Sequence, residues 1–382
     1  MDFALSEEQT RIRNMCRQFT EGEIAPRADE MERADDYPYH IMDRMADLGM
    51  MGIPFHEEYG GGGGDWVSMN LCIEEVSKGD AGLGIMLDIT ALCTHELEVF
   101  GTEEQKWRWL PPLARGEKIG SFGLTEPHAG SDAASISCTA TLDADEWVIN
   151  GRKQFITNIG LGNSSIIVIA AVSGMNQQGK SITNTFVIPK GIPGFIVGRN
   201  YDKIGLRLCA TNELAFKDCR LPRDYLLGEV GRGLDQHLAM AQTGRICVAA
   251  CSVGLAQACL DASLSYAKER IQFGRPIIQF EGVSFKLADM AVAIEAARLM
   301  YLKAAWLKDS GLPYRFEASA AKVYASEMVE KVASDAVQIH GGYGYMSDYA
   351  VSRYYRQAKV MQIALGTSEM QRIVITRNLG SN

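Results

Sequence analysis

The sequence predicts a mostly helical α+β chain in three parts: an N-terminal helical domain over residues 1–116, a central antiparallel β-sandwich or barrel over 117–228, and a C-terminal four-helix bundle over 229–382. Three observations carry this. Apolar residues recur at helical spacing through the first third. Between about 117 and 225 the pattern changes to short β-rich runs. The run 233–270 then carries almost no helix breaker.

Ser6-Glu7-Glu8-Gln9 has the form of a capping box, and Ile12, Met15, Cys16 and Phe19 follow at helical spacing. Further helices fit 37–49, 66–78 and 81–100. Five consecutive glycines, Gly60 to Gly64, match neither phosphate-loop pattern and read as a flexible turn. Segment 84–93 is apolar almost all round when wound as a helix, which implies burial. Asp88 sits in its middle, with Gly84, Ile85, Ala91 and Leu92 as helical neighbours. A buried acid needs a partner or a task.

Trp147-Val148-Ile149, Ser165 to Val172 and Thr185 to Ile188 are β-rich and bounded by turn residues. No long helix separates them, so a small antiparallel sheet is expected rather than a doubly wound one. The long helix over 233–270, ended by Gly274 and Pro276, suits a bundle. Helices over 280–310 and 314–339 follow. Gly341-Gly342-Tyr343-Gly344 breaks the last of these, and a final helix begins near Ser368.

Composition excludes some classes of function. A formal net charge of −9 argues against a nucleic-acid or anionic-membrane surface. The apolar runs read as too short to span a bilayer, and Met1-Asp2-Phe3 begins no signal peptide. Nine scattered cysteines without Cys-x-x-Cys point to a reduced cytoplasm, with Cys247 and Cys251 in the core. No metal is expected, and His340, alone beside glycines, reads as structural.

The stretch Leu124-Thr125-Glu126-Pro127-His128-Ala129-Gly130-Ser131-Asp132 reads as a loop, because Pro127 and Gly130 break regular structure. Taken alone it is an ordinary turn; its N–H groups and the Ser131 hydroxyl could equally cradle a flat polar ring and a phosphate. It resembles the flavin-binding signature of the acyl-CoA dehydrogenase family. Companion segments follow in the family's order: Phe155-Ile156-Thr157, Arg270-Ile271-Gln272-Phe273-Gly274, Gln338-Ile339-His340-Gly341-Gly342 and Gly366-Thr367-Ser368-Glu369.

That resemblance implies the same three-part fold, FAD as cofactor, an acyl-CoA substrate and an acceptor such as an electron-transfer flavoprotein. It implies that Phe122, Leu124, Thr125, Gly130 and Ser131 contact the flavin or its pyrophosphate. Phe155 would pack on the ring, with Ile156 beside it and Thr157 near N5. A neighbouring subunit would supply the other half of the site, hence a homotetramer. Arg270, Phe273, Phe280, Gln338, Gly341, Gly342, Thr367 and Glu369 would form that half. Glu281 stands where the family usually has glutamine. On the substrate side the resemblance implies Ser131, Arg245 with Gln242 three residues before it, Leu365 and Gly366.

One position departs. The family's Tyr-Glu-Gly-Thr motif carries the glutamate that removes the α-proton; here the chain reads Ala364-Leu365-Gly366-Thr367. Leu365 cannot accept a proton, and Gly244 occupies the alternative base position on the long helix. Asp88, on the helix that lines the family's acyl cavity, is the candidate base. An aspartate there with both glutamates absent resembles the cyclohex-1-ene-1-carboxyl-CoA dehydrogenases of alicyclic and aromatic metabolism. Other readings are a reductase or monooxygenase of the same fold, or a flavin-binding scaffold without catalysis.

Overall fold

In the computed structural model, which describes residues 4–34 and 37–380, the chain opens on the expected capping box. The Ser6 hydroxyl accepts the Gln9 N–H at 3.1 Å and Gln9 Oε1 accepts the Ser6 N–H at 3.0 Å, starting α1 (Glu7–Phe19). A π-helical turn leads on toward α2 (Ala28–Ala34), and α3 (Tyr39–Asp47) follows. The Met1-Asp2-Phe3 start lies outside the described residues. Asp65 caps α4 (Trp66–Gly79) by accepting the Ser68 N–H at 2.7 Å. Asp80 caps α5 (Ala81–Phe100) in the same way, and every residue from Ala81 to Leu97 is buried, as an all-round apolar helix requires. Helix α6 (Glu103–Ala114) completes the first part.

The glycine run between α3 and α4 is not a flexible turn. Gly62 donates to the Gly52 carbonyl at 2.9 Å and Gly64 to the Ile53 carbonyl at 2.8 Å. A Cβ on Gly61 would stand 2.2 Å from the Phe55 carbonyl oxygen. The glycines are there so that two backbones can touch.

The central strands are β1 (Ile119–Gly123), β2 (Thr139–Asp143), β3 (Glu146–Thr157), β4 (Ser164–Met175), β5 (Ser181–Pro189), β6 (Phe195–Asn200), β7 (Thr211–Pro222) and β8 (Leu226–Leu227). They form one sheet in the order β6-β7-β3-β2-β4-β5-β8, with β1 beside β4. The sheet is mixed rather than wholly antiparallel. β1 runs parallel to β4 with Phe122 opposite Val168, and β2 meets β4 in parallel at Thr139 and Val172. Parallel neighbours need a long crossover; here the 124–138 loop and the β2–β3 hairpin supply it.

Helix α7 (Gly233–Glu269) rises roughly 55 Å through the last part. It stops at Glu269, ahead of Gly274, where Arg270 turns extended. A two-strand hairpin, β9 (Ile271–Gln272) and β10 (Arg275–Pro276), leads into α8 (Glu281–Asp309) and α9 (Arg315–His340). Helix α10 (Ala350–Ala358) has no counterpart in the sequence reading, and α11 (Ser368–Leu379) closes the chain. Arg353 and Gln357 pin α10 to the α5 cap, each reaching Asp80, at 3.1 and 2.7 Å. Contrary to the expectation from apolar run lengths, α7 is long and apolar enough to cross a membrane. Here 78% of its most apolar window is buried within the protein, as befits the core helix of a bundle. The nine cysteines are free and buried, Cys247 and Cys251 among them.

Candidate active site

The signature loop leaves β1 and is fixed by an ion pair that the motif reading did not single out. Lys153 of β3 has no exposed side chain, and its Nζ lies 2.8 Å from Glu126 Oε1 and 3.1 Å from the Leu124 carbonyl. Glu126 also accepts the N–H groups of Ser137 and Cys138. These partners hold the Glu126 carboxyl below its usual range against the opposing effect of burial. The Gln154 N–H bonds the Thr125 carbonyl at 2.8 Å, which sets Leu124 and Thr125 beside Phe155, Ile156 and Thr157 on β3. With the Leu124 carbonyl taken by Lys153, the planar peptide turns the Thr125 N–H the other way, and no described residue accepts it. Phe155 holds a left-handed backbone (φ 60) and is 58% exposed. Gly130 and Ser131 are exposed at the loop's far end, and Phe122 is buried on β1.

A second group gathers where α7 ends. Arg270, His340, Gly341 and Gly342 line a cleft of about 440 Å³ with Tyr266 and Tyr343. A Cβ on Gly341 or Gly342 would meet nothing within 4 Å, and Gly341 sits at φ 62, so both open backbone to the cleft. The Arg270 guanidinium lies 5.4 Å from the Tyr343 ring centre. Phe273 is 95% exposed and packs edge-on to Phe280. Gln338 is exposed beside them. His340 is structural: Nδ1 meets the Ala336 carbonyl at 2.8 Å and the ring stacks on Tyr266. Within one chain this cleft includes no residue of the signature loop. Each half offers exposed backbone or an exposed aromatic, and the second adds a cation. These features fit an extended dinucleotide held at its two ends.

The third group surrounds Asp88. The residue has no exposed surface, and neither carboxylate oxygen has a hydrogen-bond partner among the described residues. The polar side chain acting on it is the Cys247 thiol of α7. Burial pushes the Asp88 carboxyl well above the carboxylate range, with the thiol opposing. Leu92 lies one turn along α5. A Cβ on Gly244, one turn before Cys247, would lie 2.6 Å from Leu365 Cδ1 and 2.7 Å from Leu92 Cδ1. The two customary base positions therefore touch, and both are apolar.

This burial has a thermodynamic signature. A carboxyl with a raised pKa binds its proton more tightly in the folded chain than in the unfolded one. Its contribution to stability is present below the unfolded value, near 3.9, and is lost as pH rises toward the folded value. The melting temperature of Asp88→Asn, measured against the parent, should therefore climb as pH rises through that window. A difference that stays constant from about pH 5 to about pH 8 would contradict this.

Leu365 lies in the left-handed region (φ 51) and Gly366 follows at φ 94. Their carbonyls are taken by side chains: Gln371 Nε2 donates to both, at 3.3 and 2.9 Å, and Lys322 Nζ donates to Gly366 at 2.8 Å. The peptide planes turn the Gly366 and Thr367 N–H groups away from those donors. No described residue accepts the Thr367 N–H or the Leu365 N–H. Thr367 caps α11, and Glu369 is exposed in its first turn. Arg245 is buried on α7, with Nη1 3.4 Å from Ser319 Oγ and Nε unpartnered. Burial, then Arg315, pulls it down to about 10. Gln242 is half-buried on the same helix.

The sequence reading also missed Glu96 and His237. Both are fully buried and share a hydrogen bond of 2.8 Å, and the His237 ring stacks on Phe122 at 3.9 Å. The available signal was spacing: Asp88, Leu92 and Glu96 recur every fourth residue on α5.

Comparison with known proteins agrees over the whole chain. Family models described as acyl-CoA dehydrogenase N-terminal, middle and C-terminal domains match residues 6–117, 121–219 and 231–380. The probable acyl-CoA dehydrogenase YngJ of Bacillus subtilis (strain 168) is 48% identical, over 99% of this chain and 100% of that protein. The structure of butyryl-CoA dehydrogenase from Megasphaera elsdenii is 41% identical, with a TM-score of 0.96 over 99% of this chain and 100% of the other. A chain solved in work on the electron transferring flavoprotein of Acidaminococcus fermentans is 43% identical, with a TM-score of 0.97 and full coverage of both chains.

Proposed function

This chain belongs to the acyl-CoA dehydrogenase family, and from that premise we propose that it dehydrogenates a cyclic α,β-unsaturated acyl-CoA by 1,4-elimination, with Asp88 as the base. As a member of that family it is an FAD-dependent oxidoreductase acting on the CH–CH groups of acyl-CoA thioesters. FAD, when bound, supplies the acceptor for a hydrogen and two electrons. The observation that carries the finer reading is a buried carboxyl that no described cation pairs with, Asp88, in a neighbourhood where Leu365 and Gly244 leave no base for an α-proton.

We assign the flavin end to Phe122, Leu124, Thr125, Gly130, Ser131, Phe155, Ile156 and Thr157. The adenosine and pyrophosphate end falls to Arg270, Phe273, Phe280, Gln338, Gly341, Gly342, Thr367 and Glu369 of a neighbouring copy in a homotetramer. Arg270→Ala should then weaken FAD retention about tenfold, since a charge-assisted phosphate contact is worth roughly 1.5–3 kcal/mol at most. Flavin content after extensive dialysis measures it; unchanged content would overturn this assignment. Ser131, Gln242 and Arg245 are assigned to the CoA thioester. An electron-transfer flavoprotein is the proposed electron acceptor, and a reducing cytoplasm suits nine free, buried cysteines.

The chemistry follows from vinylogy. A proton on the γ-carbon is not acidic in a saturated thioester. With an α,β double bond already present, the charge left by its removal delocalises into the thioester carbonyl. Asp88 takes that proton, and its raised pKa brings it nearer the range of an effective base. The carbonyl oxygen, which gains charge, meets the N–H groups of Leu365 and Thr367. A second hydrogen leaves another ring carbon as hydride, and the product is a conjugated diene thioester. A ring fixes the distance between the two reacting carbons. Cyclohex-1-ene-1-carboxyl-CoA meets these demands.

A second reading, dehydrogenation of a short linear saturated acyl-CoA, is favoured by the likeness to butyryl-CoA dehydrogenase. Leu365 disfavours it, because it cannot take an α-proton. Anaerobic titration with butyryl-CoA, cyclohexanecarboxyl-CoA and cyclohex-1-ene-1-carboxyl-CoA separates the readings. Bleaching by the last alone, with a product two hydrogens lighter, is expected; bleaching by butyryl-CoA alone favours the second.

A further inference from the structure

Lys322 is an anomaly that neither the family resemblance nor the mechanism above uses. It lies on α9 with a fully buried side chain, and no carboxylate among the described residues comes within ion-pair distance of its ammonium. Its hydrogen-bond acceptor is the Gly366 carbonyl, at 2.8 Å. A buried lysine without a counter-ion is unfavourable unless its charge has a use. Burial and Arg245 of α7 pull it down to about 7, against the opposing influence of Glu327 on its own helix and Glu369 on α11. Glu327 is itself drawn off by Arg372, at 2.6 Å.

The acceptor explains the placement. Gly366 follows Leu365 in a turn where both residues have positive φ, a conformation that side-chain partners must hold in place. Gln371 Nε2 holds both carbonyls and Lys322 Nζ holds the second. A donor on the Gly366 carbonyl polarises the peptide whose other end is the Thr367 N–H. A positive charge behind the turn raises the potential at the neighbouring N–H groups.

We propose that Lys322 is a positioning residue for the thioester: through the Gly366 carbonyl it fixes the Leu365–Thr367 turn with its N–H groups presented, and it sets positive charge behind the carbonyl oxygen as that oxygen gains negative charge. This deepens the reading of the site given above and rests on it for the identity of the reacting oxygen. The ligand class is an acyl thioester, and the effect is on activation more than on binding. Removing a direct oxyanion donor lowers rates by about 10²–10³. A group acting through one peptide should lower them by about tenfold or more.

The test uses the FAD-loaded enzyme with Lys322→Met and Lys322→Gln. The glutamine variant keeps a neutral donor for Gly366 and guards against a folding defect in the methionine variant. The optical probe is 4-dimethylaminocinnamoyl-CoA, a push–pull thioester whose absorption moves to the red as its carbonyl is polarised. Both variants should keep FAD and should bind the probe within about threefold of the parent, because the effect is on the transition state rather than uniform binding. The red shift should be largely lost in Lys322→Met and partly lost in Lys322→Gln. Flavin reduction by cyclohex-1-ene-1-carboxyl-CoA should slow by about tenfold or more in Lys322→Met, with a smaller change in KM. A red shift and reduction rate equal to the parent's in both variants would overturn the proposal. So would a loss of probe binding with the shift per bound probe unchanged, since that describes packing alone. A parent that shifts the probe through Lys322 yet is not reduced by the cyclic thioester would remove the substrate reading and leave the role of Lys322 standing.

Discussion

Asp88→Asn is expected to slow flavin reduction by cyclohex-1-ene-1-carboxyl-CoA at least about a hundredfold, the usual scale for losing a general base and ~2.7 kcal/mol of barrier. FAD content and thioester affinity should hold, because asparagine keeps the shape of aspartate and a carbonyl oxygen that can accept from the Cys247 thiol. The pH dependence has a defined sign. Only the carboxylate accepts a proton, and burial raises the carboxyl well above its ordinary range. The parent's rate should therefore climb with pH through a value well above 3.9, the unperturbed aspartate figure, and the residual rate of the variant should lack that step. Stopped-flow reduction across a pH series measures both. Equal rates in parent and variant would make Asp88 a structural group.

Leu365→Glu is expected to gain an activity that the parent lacks: removal of hydrogen from a saturated acyl-CoA at the α and β carbons. A general base contributes about 10²–10⁴ to such a step, so the change should be large. The position already carries a non-glycine side chain at φ 51, so glutamate adds no new backbone strain. Leu92 and Gly244, which lie beside its side chain, are apolar, which would raise the pKa of the new carboxyl as burial does for Asp88. Flavin that stays oxidised with both butyryl-CoA and cyclohexanecarboxyl-CoA would show that pocket shape, and not the missing carboxylate, excludes the saturated substrates.

What was legible in the sequence was what local pattern determines. Helix α5 spans the 81–100 that the sequence suggests, with Asp80 capping one end, Gly101 following the other and an apolar run between. Asp88 stood out because a charge inside that run is a local contradiction. The parallel pairing of β1 with β4 was not legible, since pairing partners lie about 45 residues apart and alternation along a strand does not name its neighbour. Helix α10 was missed because it is short and its polar anchors reach a helix cap far away in sequence, Arg353 and Gln357 on Asp80. The glycines at 60–64 signal freedom in sequence and close backbone contact in the fold. Lys322 was passed over for a simpler reason: a helical lysine reads as a solvated one. Its burial depends on a turn that returns to it across 44 residues. The same holds for Lys153, whose charge reads as surface and whose ion pair with Glu126 fixes the signature loop.

The central claim is that Asp88 removes a proton from the γ-carbon. The most direct measurement is flavin reduction by cyclohex-1-ene-1-carboxyl-CoA carrying deuterium only at that ring carbon, with the product analysed by mass. The account predicts that the label slows reduction several-fold in the parent and that one of the two deuterium atoms is lost to solvent from the diene product, a loss that Asp88→Asn abolishes. Reduction at the unlabelled rate, with both deuterium atoms retained in the product, would contradict it.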